Sequence, residues 1–128
     1  ALPFALSPGK RYLWFAGAVS TNGKALVWSA GAYFKVPSLT APTWSISPPT
    51  GAAMPTFSWN GPALAANYEV RIDDLTTSKV GVASGKTSDL IWTSSVVLTS
   101  GHRYRTWLRA ISANGTLGPW SLPLYFTA

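Results

Sequence analysis

The chain resembles itself. When the 128-residue sequence is slid along itself by 92 positions, residues 1–36 fall on residues 93–128 without a gap, and 12 of the 36 pairs are identical. The identities are Leu6/Leu98, Gly9/Gly101, Arg11/Arg103, Tyr12/Tyr104, Ala18/Ala110, Ser20/Ser112, Asn22-Gly23/Asn114-Gly115, Trp28-Ser29/Trp120-Ser121 and Tyr33-Phe34/Tyr125-Phe126. Ordinary composition would give about two such matches by chance. A repeat of this kind constrains architecture before any local pattern is read. The period is too long for a solenoid unit and suits an independent sandwich domain. Residues 37–128 then make one full period, and residues 1–36 the last part of a preceding one.

Strand signals recur along the full period, separated by Pro, Gly and Asn. Thr43 to Ser47 is a short first strand after Pro42. Thr56 to Asn60 alternates Phe57 and Trp59 with polar residues. In Asn67 to Asp73, Tyr68, Val70 and Ile72 share one face and should look inward, while Glu69, Arg71 and Asp73 share the other. Lys79 to Ala83, Asp89 to Thr93, His102 to Ala113 and Trp120 to Thr127 complete the set. Asn114-Gly115, like Asn22-Gly23, supplies two residues tolerant of positive φ, so both segments should end in a tight hairpin. Seven short strands in one period point to an antiparallel β-sandwich.

The run Leu98-Thr99-Ser100-Gly101-His102-Arg103-Tyr104 resembles the segment entering the sixth strand of fibronectin type III domains. The resemblance implies a tyrosine corner built by Leu98, Gly101 and Tyr104, with Leu6, Gly9 and Tyr12 doing the same in the partial copy; the Tyr hydroxyl would bond to upstream backbone. Trp59 stands where that family carries its core Trp, and Tyr68-Glu69-Val70-Arg71-Ile72 is similar to its third strand. The implied fold is all-β: an antiparallel, seven-stranded, fibronectin type III-like (immunoglobulin-like) sandwich over 37–128, preceded by the C-terminal hairpin of another copy over 1–36. A Trp-Ser pair near the final strand resembles the modules of bacterial secreted and surface tandem-repeat proteins.

On the sixth strand Tyr104, Thr106, Leu108 and Ala110 should point inward, and Arg103, Arg105, Trp107 and Arg109 outward. With Trp120 across the turn, the outward set resembles the arginine–tryptophan ladder of cytokine-receptor modules, each contact worth about 0.5–1 kcal/mol when exposed. Such a ladder either covers ring surface and stiffens the sheet or presents a ligand-contacting surface. In the partial copy Leu13, Phe15 and Gly17 replace Arg105, Trp107 and Arg109. An apolar stripe of that kind marks an interface, covered by missing strands, by an adjacent repeat or by another chain.

The chemistry of an enzyme is not expected. Only 11% of residues are charged, and the four acids are Glu69, Asp73, Asp74 and Asp89. Glu69 and Asp73 sit on a solvated strand face rather than in a cleft, and Asp73-Asp74 lacks a third metal ligand. The single His, His102, stands where Lys10 stands and reads as a surface residue. The net charge of +6 is scattered with no basic run, so nucleic acid is not an expected partner. No Cys is present, which excludes disulfides and thiolate metal sites. No apolar run is long enough to span a membrane, Ala1 to Phe15 does not read as a signal peptide, and the start without Met reads as the inside of a longer or processed chain. No cofactor or metal is expected.

These readings converge on a non-enzymatic structural module of an extracellular or cell-surface tandem-repeat protein, acting as spacer or as building block of a fibre or surface assembly. Its partners would be neighbouring repeats or identical chains. The alternative is a carbohydrate-binding or adhesion module attached to a larger secreted enzyme, with Trp92, Trp107 and Trp120 as a platform for sugar rings. Asn114-Gly115-Thr116 is a possible glycan acceptor, and residues 37–43, rich in Ser, Thr and Pro, form a short stiff junction open to O-glycans.

Overall fold

The computed structural model describes residues 4–24 and 26–128; Ala1 to Pro3 and Ala25, all within the 1–36 segment, lie outside the described residues. Every element is a β-strand: β1 Arg11–Trp14, β2 Gly17–Val19, β3 Leu26–Trp28, β4 Ala32–Lys35, β5 Thr43–Trp44, β6 Thr56–Asn60, β7 Ala65–Asp74, β8 Lys79–Thr87, β9 Ile91–Thr93, β10 Arg103–Ser112 and β11 Leu124–Thr127.

Strands β5 to β11 form two antiparallel sheets, β5-β6-β9 and β11-β10-β7-β8. The period-two alternation decides which side chains meet between them. Phe57 and Trp59 point inward from β6, Tyr68, Val70 and Ile72 from β7, and Tyr104, Thr106, Leu108 and Ala110 from β10; all are buried. Full burial of a side chain such as Val70, Ile72, Leu108 or Phe57 is worth about 1.5–3 kcal/mol each. Phe126 of β11 completes this layer, with its ring 5.4 Å from Tyr104 and 5.6 Å from Phe57. The chain end is tied down as well: Gly51 N–H donates to Thr127 O, Gly101 N–H to Ala128 O, and Ala128 N–H to His102 O.

Three local expectations are corrected. The first strand shrinks to Thr43–Trp44, with Trp44 Nε1 donating to Leu122 O at 2.9 Å. The last strand begins at Leu124, because Pro119 and Pro123 cannot donate to a ladder; Trp120 therefore lies in the connection before it, not on the strand. The Asn-Gly turns use positive φ only at the glycines, Gly23 at 71° and Gly115 at 85°. Gly115 N–H donates to Ser112 O, and Gly23 N–H to Ser20 O, which is a turn closed by a left-handed glycine rather than one needing two left-handed residues.

Residues 4–36 hold two short ribbons, β1-β4 and β2-β3, laid end to end along one hairpin. The pairing Arg11↔Lys35 and Tyr12↔Phe34 has the register of Arg103↔Thr127 and Tyr104↔Phe126, 92 positions on. No strand of the second segment pairs with this hairpin among the described residues.

Candidate functional site

The outward face of β7 and β10 is a charged lattice set by register. Arg105 lies opposite Asp73, Trp107 opposite Arg71 and Arg109 opposite Glu69. Opposite charges directly across a sheet attract, and here they bond. Arg105 Nη2 donates to Asp73 Oδ2 at 3.0 Å, and Trp107 Nε1 donates to the same oxygen at 3.0 Å. Gly81 N–H donates to Asp73 Oδ1 at 3.0 Å, with Arg71 Nε 3.2 Å from that oxygen as an ion pair. Arg109 holds Glu69 Oε2 through Nε at 2.9 Å and Nη2 at 2.7 Å. Asp73 is only 1% exposed under this cover. Burial alone would push its carboxyl up; the Gly81, Arg105 and Trp107 hydrogen bonds and the Arg71 charge outweigh that and hold it below its ordinary value.

Stacking runs across the same face. The guanidinium carbons of Arg109 and Arg71 lie 4.3 and 5.2 Å from the centre of the Trp120 ring, Arg105 lies 4.9 Å from that of Trp107, and Arg103 5.6 Å from that of Tyr125. The structure thus brings Arg103, Arg105, Trp107, Arg109 and Trp120 onto one surface, and adds Arg71, Glu69 and Asp73, which sequence reasoning left as solvated charges. The signal was present: both strands alternate correctly, and only their adjacency was needed to pair the charges. Trp92 is not part of this surface. It sits opposite Phe57 across the other sheet, its ring 6.3 Å from Phe57 and packed against the core, so a three-Trp sugar platform does not form.

Below this face lies a second pair that the sequence did not suggest. His102 Nδ1 is 2.8 Å from Asp74 Oδ2, and the N–H groups of Thr76 and Thr77 donate to Asp74 Oδ1. His102 is therefore not a bare surface residue. Burial would raise the Asp74 carboxyl, but His102 and Thr77 bring it down to about 2. Among the described residues no three His, Cys, Asp or Glu side chains gather as metal ligands, and no helix is long and apolar enough to cross a membrane.

The residues named for the tyrosine corner form matching contacts in both segments. Thr99 N–H donates to the Tyr104 hydroxyl at 2.9 Å, and Ser7 N–H to the Tyr12 hydroxyl at 2.8 Å. Gly101 N–H donates to Ala128 O and Gly9 N–H to Val36 O. Leu98 is buried at the core edge, while Leu6 is half-buried. Ser121 Oγ accepts from Leu108 N–H and Ser29 Oγ from Ala16 N–H.

What differs is cover. Phe126 is 5% exposed, whereas Phe34, in the same ladder position, is 40% exposed. Trp14 is exposed where Thr106 is buried, and Leu13, Phe15 and Trp28 are exposed on the opposite face. Phe15 and Trp28 pack edge to face at 6.4 Å beside an open cleft of about 330 Å³. Arg11 stacks 4.2 Å from the centre of Tyr33, as Arg103 stacks on Tyr125, but among the described residues no guanidinium stacks on Trp28. Asn114 is exposed, and its amide Nδ2 donates to Ser7 Oγ at 2.6 Å, so the possible glycan acceptor is engaged with the preceding segment.

Among solved structures, one described as a myokine matches with a TM-score of 0.58 at 16% identity, covering 71% of this chain and 98% of that one. The FN5 domain of Drosophila Lar matches with a TM-score of 0.51 at 17% identity, covering 70% of this chain and 96% of that one. The chain has a fibronectin type III-like fold. The FN1-FN3 domains of chicken CNTN1 match with a TM-score of 0.57 at 16% identity over 97% of this chain and 43% of that one. No protein-family model and no curated protein matches the sequence. In the terms of this fold, the ladder occupies the outer surface of the four-stranded sheet, and the pairing of β1 with β4 has the register of β10 with β11, the pair that closes the sandwich.

Proposed function

We propose that the chain is a non-enzymatic structural module, a spacer or building block of an extracellular tandem-repeat assembly. In this reading residues 1–36 are the C-terminal part of one fibronectin type III-like repeat and residues 37–128 are the next. One observation carries it: two hairpins 92 positions apart share strand register, hydroxyl acceptor and serine cap, yet one is roofed by a sandwich and the other is open on both faces. A two-stranded ribbon is marginal in water by itself. The hairpin of residues 4–36 therefore calls for five more strands of the β5–β9 type, and its outer stripe of Leu13 and Phe15 for an assembly partner.

The consolidated ladder favours mechanics over recognition. Asp73 and Glu69 hold three of its arginines, and the Trp107 and Trp120 rings carry guanidinium planes, which supports a stiffened sheet. The second reading, a polysaccharide or adhesion module, draws on Trp107 and Trp120, which remain partly open. Electron microscopy of the native protein with its intact mass tests the first reading. Strings of domains and a mass well above 13.6 kDa are expected; discrete monomers of that mass at high concentration would overturn it. Saturable binding to an insoluble polysaccharide, lost on Trp107→Ala or Trp120→Ala, would favour the second.

A further inference from the structure

The contact between the two segments contains a pattern whose counterparts, Leu64 and the buried Leu98 apart, lie at exposed positions elsewhere in the molecule. Asn114 spends its side-chain oxygen inside its own turn, on Ser112 Oγ and on Thr116 N–H. Its amide nitrogen is then turned outward and reaches Ser7 Oγ. Beside this bond Phe4, Leu6 and Pro8 face Leu64, Ser112 and Ala113 across a cleft of about 340 Å³. Shifting by 92 positions carries Phe4-Ala5-Leu6-Ser7 onto Val96-Val97-Leu98-Thr99, and Ser112-Ala113-Asn114 onto Ser20-Thr21-Asn22.

Both counterparts have the local geometry of the originals. Residues 4–10 and 96–102 follow the same backbone course, and each places its fourth residue's N–H on a Tyr hydroxyl. Asn22, like Asn114, uses its side-chain oxygen inside its turn, on Ser20 Oγ at 2.5 Å and Lys24 N–H at 3.1 Å. Yet Val96 is 42% and Val97 69% exposed, and Thr99 and Asn22 are exposed too. A branched aliphatic pair beside a hydroxyl acceptor, at one end, complements an outward amide donor at the other.

We infer that Val96, Val97 and Thr99 form a docking surface for a second copy of this chain, which presents its Ser20-Thr21-Asn22 turn and seats the Asn22 amide on the Thr99 hydroxyl. This rests on the tandem-repeat reading and names the joint it uses. The surfaces are different patches at opposite ends, so the contact is heterologous. Repeated between molecules, it extends a head-to-tail string instead of closing a dimer.

The absence of native Cys gives a clean test. Thr21→Cys and Ser100→Cys, which leave the Asn22 amide and the Thr99 hydroxyl in place, are put in one chain, and a short bis-maleimide is added at several protein concentrations. A ladder of dimers, trimers and longer species is expected, lost when Val97→Asp is added. A second chain carrying Ala5→Cys and Ala113→Cys, which line the cleft and leave Ser7 and Asn114 in place, should link within itself and give no cross-link between chains. If that control links while the first chain gives no ladder, or a ladder that Val97→Asp leaves intact, the docking surface is overturned and the tandem reading survives. If the control fails to link, the internal joint is absent and both fall. Sedimentation of the unmodified chain supplies an independent measure: its average mass should rise with concentration, and Val97→Asp should abolish the rise.

Discussion

Asp73 is the residue on which the outer face turns. It accepts hydrogen bonds from Arg105, Trp107 and the Gly81 backbone, so removing its carboxylate orphans donors on both neighbouring strands, β8 and β10, at once. Asp73→Ala should lower unfolding stability by about 2–3 kcal/mol, the scale of a lost charge-assisted network whose arginines can still reach water. Urea denaturation measures this, with Arg71, Arg105 and Trp107 intact. Asp74 gives a pH test. Its folded carboxyl lies at about 2 against an ordinary 3.8. A carboxyl depressed in the fold stabilises it above the unfolded value, and that stability is lost as pH falls through the folded one. Thermal midpoints should therefore drop as pH falls from about 4 toward 2, and Asp74→Asn should flatten the drop while lowering the plateau at neutral pH. The pairing of His102 with Asp74 was not legible in the sequence, because 28 residues separate them and only the β7–β10 ladder brings Tyr104 opposite Asp74.

At the scale of elements, alternation was the readable part. It assigned the inward faces of β6, β7 and β10 residue by residue, because a sheet buried on one side admits only one phase. It could not say that β7 and β10 are neighbours, and so the acids of one were left apart from the arginines of the other. Strand ends were less legible: prolines at 119 and 123 moved the start of β11, and Trp120 keeps its place on the ladder through stacking, not pairing. Trp92 was misplaced because an outward aromatic and one wedged at a sheet margin have the same sequence pattern. A Cβ added at Gly85 would lie 2.3 Å from Trp92 Nε1. Gly85→Ala should therefore displace that indole and cost about 1–3 kcal/mol, visible as a shifted near-ultraviolet spectrum with a lowered urea midpoint. Tyr104→Phe should cost about 1–2 kcal/mol by leaving the Thr99 N–H without its acceptor. The same change at Tyr12 should leave the main unfolding transition unmoved, since among the described residues no strand of the sandwich pairs with the β1–β4 ribbon.

For the whole molecule, solvent reaches the two hairpins unequally. Trp28 is 60% exposed, and Trp14 is comparably open, while Trp120, at the position matching Trp28, is half-buried. Acrylamide should quench part of the tryptophan emission of this chain readily, and Trp28→Phe should remove much of the quenchable part. If the native protein roofs the hairpin, emission there should be shielded. The ends of the sandwich carry one more implication. Thr127 and Ala128 bond to Gly51, Gly101 and His102, and Phe126 plugs the space against Phe57. Synthesis runs from the N-terminus, so the plug is the last part of this sandwich to be made. A half-translated module must wait with Phe57 and Trp59 uncovered, and the ribosome still hides the residues it has just joined. The sandwich can shut only once Phe126 is free to reach Phe57, so the arrival of its last strand times the closing of the core.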